Sequence, residues 1–128
     1  MILRINVIQR WATQKDKDMK AVLYNATDKN ARTISLDPDD TLTGMQKAVE
    51  GNVECIVLDT LAPLNIDAWA NDEGAVIGLP YAFSAKVNGH TTHLFGNVLF
   101  TKTNENGDTE GLNDKEAELV LDSLRHLN

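Results

Sequence analysis

The pattern that most constrains this chain lies near its C-terminal end. Asn113 and Glu116 stand three residues apart, ahead of Ala117, Val120, Leu121, Leu124 and Leu127. The first two have the spacing of a capping box, in which each side chain satisfies the other residue's backbone amide. The five apolar residues recur with helical period, and Leu112 is placed for a hydrophobic staple. A helix with one apolar stripe must lie on something, so the rest of the chain has to supply a surface. One other segment reads as helical, residues 41–50, with Leu42, Met45 and Val49 on one face. Asp37-Pro38-Asp39-Asp40 offers acidic caps ahead of it, and Gly51 stands where a left-handed C′ glycine belongs.

Everything else has the character of strand and turn. Residues 21–24 and 33–36 are strand candidates across the turn-rich run 25–30. Residues 53–58 are nearly continuous in apolar side chains, which predicts a central strand covered on both faces. Residues 66–70 and 75–79 flank Asn71-Asp72-Glu73-Gly74, which predicts a hairpin with Gly74 in the left-handed region. Pro80 would end its second arm, and residues 93–101 form a further strand. The expected class is α+β: an antiparallel or mixed sheet of five to six strands with two main helices packed on one face.

A chain of 128 residues fits one domain. The polar break Gln14-Lys15-Asp16-Lys17-Asp18 suggests that residues 1–18 are an appended extension, of either helical or strand pattern, and that 19–128 is the domain. Aromatic residues are 5% of the chain, so the core has to be aliphatic. The lone Cys55 excludes an internal disulfide, disfavours a thiolate metal cage and, within its apolar run, reads as a buried thiol. No apolar run approaches the roughly 20 residues that span a bilayer, and Arg4 and Arg10 interrupt the N-terminal apolar stretch. The expectation is a cytoplasmic protein with no membrane contact.

Net charge is −7, unevenly spread. Residues 1–32 carry seven Lys/Arg against three Asp/Glu, and residues 33–128 carry five against sixteen. An acidic body repels phosphate, so direct nucleic-acid binding is not expected; solubility or a basic protein surface is.

No catalytic residue is assigned. His90 and His93 lie beside Asn88-Gly89 with no third ligand nearby, and read as surface residues. The acidic clusters at Asp37, Asp39 and Asp40 and at residues 104–110 lack the register of a calcium loop. No nucleophile elbow, phosphate loop, dinucleotide fingerprint or zinc-protease motif is present. No metal and no cofactor is expected. Trp69, sharing a strand face with Asp67 and Asn71, is either a partner anchor or a side chain packed under a helix.

Two short motifs stand at this point of the chain, Trp69-Ala70-Asn71-Asp72-Glu73-Gly74 and Gly78-Leu79-Pro80. They resemble the core of domain-of-unknown-function family 3846, which reads roughly Trp-x-Asn-Glu-Glu-Gly and then Gly-Leu-Pro. The similarity runs from about Met19 to Leu124 and includes Gly96-Asn97-Val98-Leu99-Phe100 and Gly111-Leu112-Asn113-Asp114. Tyr81-Ala82-Phe83 departs from the polar residue common in the family after Gly-Leu-Pro. The family occurs largely in bacteriophages, plasmids and their bacterial hosts. The resemblance therefore implies a non-enzymatic accessory protein that contacts a host protein, and the residues around the expected hairpin, Trp69, Asn71, Asp72, Glu73 and Tyr81, are the candidate partner or ligand contacts. Alternatives are sequestration of a small nucleotide-like signal, an acidic DNA mimic, or a small enzyme; a homo-oligomer is compatible with each.

Overall fold

A computed structural model describes residues 19–125 of the chain. The expected extension at 1–18 and the last member of the C-terminal stripe, Leu127, lie outside the described residues.

The first two strands, β1 (Met19–Asn25) and β2 (Asn30–Leu36), pair antiparallel from Met19 with Leu36 to Asn25 with Asn30. Asn25 makes the turn between them, its side-chain oxygen accepting the amides of Thr27 and Asp28 at 2.9 Å each. Helix α1 (Thr41–Val49) follows, then β3 (Val53–Ile56), a 3-10 turn at Ala62–Leu64 and β4 (Ile66–Asn71). Next come β5 (Tyr81–Val87), β6 (His90–Phe95), β7 (Val98–Thr103), the short β8 (Thr109–Glu110) and helix α2 (Asp114–Arg125). The main sheet has the order β2-β1-β7-β4-β3, with β8 on the far end of β7; β5 and β6 form a separate two-stranded sheet. Every pairing is antiparallel.

The two helices take opposite faces of this sheet, not the single face expected. Met19, Ala21 and Leu23 join Met45 and Val49 of α1, whereas Val22 and Tyr24 join Val120 and Leu124 of α2. The apolar run 21–24 has no alternation because both of its sides are covered. Strand β7 shows the same property more fully: Val98, Leu99, Phe100 and Thr101 are all buried. The β5–β6 sheet lies on the α2 side, where Phe83 meets Tyr24 edge-on at 5.3 Å and stacks on Phe100 at 6.5 Å.

Several local expectations need correction. Residues 53–58 are not a central strand: β3 is the sheet's edge, with Cys55 and Val57 exposed. The hairpin at 66–79 does not form. Gly78 (φ +79°) is the left-handed residue there, and the amides of Gly78 and Leu79 reach back to Ala75 and Gly74 at 3.4 and 2.9 Å. That double bond pattern closes a helical turn after residue 73, so 75–79 cannot be a strand. Gly74 is not left-handed; a Cβ on it would lie 2.7 Å from the Phe95 carbonyl oxygen. Pro80 precedes a strand instead of ending one. The true hairpin is β5–β6, turned by Asn88 (φ +52°) and Gly89 (φ +79°), the two left-handed residues a tight two-residue loop demands. Residues 93–101 are two strands, broken where Gly96 has φ +83°. In α1, Leu42 is exposed, Asp40 makes no side-chain cap, and Glu50, not Gly51, is left-handed.

The capping box on α2 forms as its sequence predicts. Asn113 accepts the Glu116 amide at 2.7 Å and Glu116 accepts the Asn113 amide at 2.9 Å. The second oxygen of Glu116 meets the Lys102 ammonium at 2.7 Å. Burial alone would raise the Glu116 carboxyl, but the Asn113 amide and Lys102 outweigh it and hold it below its ordinary value. A depressed carboxyl contributes stability that is present above its unfolded pKa and lost as pH falls through the lower folded value. Replacing Glu116 with Gln should therefore lower stability at neutral pH and flatten the acid side of the stability–pH curve. Denaturant unfolding at a series of pH values would show it; parallel curves for the two proteins would contradict it.

Candidate functional site

The five candidate contact residues do not converge on one spot. Trp69 is half-buried on the α1 face, among the cluster of Met45, Val49 and Leu99, and its indole donates to the buried Thr101 hydroxyl at 2.8 Å. Asn71 is buried, its amide donating to the Val49 and Glu50 carbonyls at 3.3 and 3.1 Å and its oxygen accepting the Glu73 amide at 2.8 Å. A Cβ on Gly51 would sit 2.5 Å from that amide nitrogen, which is why glycine follows α1. Asp72, Glu73 and Tyr81 are exposed.

The motif residues thus brace the chain between β4 and β5. Gly74 packs on the Phe95 backbone, Leu79 packs on Gly96, and the Pro80 carbonyl accepts the Gly96 amide at 2.7 Å. What this frame presents is the stretch that sequence reading assigned to a strand. Val76 is 87% and Ile77 56% exposed, with Tyr81, at 46%, beyond them. The missed signal was Gly78: an apolar run closed by a C′ glycine reads as a helical turn.

Tyr81 has its own surroundings. Its hydroxyl lies 2.5 Å from Ser84 Oγ, which lies 2.5 Å from His93 Nδ1. Lys29 sits 5.4 Å over its ring and its ammonium donates to the Tyr81 carbonyl. Ser84 and His93 face each other across β5 and β6, on the opposite side from the inward Phe83 and Leu94. That placement puts the hydroxyl–imidazole pair on the outer side of the hairpin, and His93 also borders the cleft between the two sheets.

Between the two sheets, at the β3 end, is a cleft of about 470 Å³. Ile56 and Ala70 line one wall, Thr92 and Leu94 the other, and Glu54 and Asp72 add carboxylates. Among the described residues no Lys or Arg lines it. Cys55 also borders it; the sequence expectation of a buried thiol is overturned, because an edge strand leaves the residue exposed. Local burial around the sulfur, then the Asp67 carboxylate, push this thiol above its ordinary value. That favours the protonated, weakly nucleophilic form at neutral pH. Among the described residues no group of three or more His, Cys, Asp or Glu could hold a metal ion. None of the described helices is long and apolar enough to cross a membrane.

Comparison with known proteins gives one result. The family model described as Domain of unknown function (DUF3846) matches residues 19–125. No curated protein and no solved structure matches the chain.

Proposed function

The chain belongs to the DUF3846 family, and from that premise we propose that it is a non-enzymatic accessory protein which binds a partner protein through the turn ahead of β5. The observation that carries this reading is the pair Val76 and Ile77, exposed at 87% and 56% on a turn fixed by backbone bonds. Each such side chain left in water forgoes about 1.5–3 kcal/mol of burial. A stretch that merely had to turn the chain could do so with polar residues. A rigid apolar tip also suits binding, because little conformational freedom is lost on contact. Tyr81, half-exposed and held by Lys29 and Ser84 at the start of β5, is an amphipathic side chain of a kind enriched at protein interfaces. The mobile-element setting implied by the family resemblance makes a host protein the partner in this reading.

Replacing both Val76 and Ile77 with Asp tests it. These side chains support no buried cluster, so the variant should melt within about 2 °C of the parent. Cross-linked capture from a host lysate should retain a partner with the parent protein and lose it with the variant. Equal capture by both proteins would refute the reading.

A further inference from the structure

We infer that the cleft at the β3 edge takes an extended, basic peptide segment by strand addition. The backbone supplies the first argument. The Asp72 amide bonds the Asn52 carbonyl at 3.0 Å, in register with the pairs from Val53–Asn71 to Ile56–Ala68. Bonded and non-bonded pairs alternate in an antiparallel ladder. Residues 54 and 56 therefore spend their backbone groups on β4, while Val53 and Cys55 aim theirs away from the sheet. Among the described residues no strand pairs with that side of β3. An exposed row of outward amides and carbonyls is a template for another chain.

The walls supply the second argument. Ile56, Ala70 and Leu94 give the cleft an apolar part beside polar Thr92 and His93, and Glu54 and Asp72 add two carboxylates. Among the described residues the lining holds Glu54 and Asp72 and no Lys or Arg, so a segment laid along β3 meets negative formal charge from them. An apolar strand carrying Lys or Arg satisfies both wall and edge; an acidic one meets repulsion. The inference rests on the binding reading only in taking a polypeptide as ligand, and its cleft reaches the turn at Ala75 without including Val76 or Ile77.

The probe is a short acetylated peptide of alternating valine and lysine, titrated against the full chain, with a valine–glutamate peptide as control. The lysine peptide should bind at least about tenfold more tightly than the control. Cys55→Pro removes one outward amide at an edge position, where proline is tolerated. It should weaken the lysine peptide at least about tenfold, while Val76→Ser/Ile77→Ser, which adds no charge beside Ala75, leaves it unchanged. Should the proline variant not fold, Glu54→Lys, on the exposed edge, should narrow or reverse the preference between the two peptides. The inference is overturned if the lysine peptide does not bind, if both peptides bind equally, or if a folded Cys55→Pro protein binds as the parent does. It is also overturned by a parent dimer in native mass spectrometry that Cys55→Pro dissolves, since a second copy would then cover the edge. Peptide binding that survives while Val76→Asp/Ile77→Asp still captures its lysate partner would refute the turn reading alone.

Discussion

Trp69→Ala is expected to destabilise the domain by about 3–5 kcal/mol, the largest loss among single substitutions near the motif. The indole packs against the α1 cluster and hands its one donor to Thr101, which is fully buried in β7. Truncation opens a cavity beneath the helix and leaves the threonine hydroxyl without that partner. Trp69→Phe separates the two contributions: it restores most of the packing and should cost about 1–2 kcal/mol. Denaturant titration measures both. A Trp69→Ala protein melting within about 2 °C of the parent would show that the ring is not part of the folded support, and would return it to the list of contact residues.

Asn71→Ala is the second large effect, at about 2–4 kcal/mol, because three hydrogen bonds end on one buried side chain. Two of them hold the C-terminal carbonyls of α1 and the third fixes the start of the turn that carries Val76. Asn71→Asp should be at least as damaging, since it sets oxygen against the Val49 and Glu50 carbonyls in place of a donor. Partner binding should fall with stability in both, through loss of the turn's frame. If Asn71→Asp matched the parent in stability, the side chain would not be bridging helix and turn.

How much of this was legible in the sequence depends on whether the signal was local. The α2 capping box needs only Asn113, Glu116 and the stripe behind them, and it formed as read. The α+β class and most strand positions followed from apolar runs bounded by turn residues. Position within the sheet did not follow, because residues 21–24 and 53–58 have similar apolar runs, yet one lies inside the sheet and the other at its edge. Only pairing across the chain distinguishes them. The error at 75–79 was of another kind: the signal was there, in Gly78, but Gly74 was given its role. For the candidate site, the motif residues were found and their work was misjudged. Trp69, Asn71 and Gly74 build a support, and what it displays is the apolar pair between the motifs, which a strand assignment had hidden.

The place of β7 in the sheet has a consequence for how the domain comes into being. Among the described residues it is the strand that joins β1 on one side to β4 on the other, yet it follows both of them in the chain. Until Val98–Thr103 has been synthesised, β2-β1 and β4-β3 share no ladder among the described residues. Cooperative folding of this sheet therefore waits for β7, and the nascent chain carries the unpaired edges of β1 and β4 until that strand emerges.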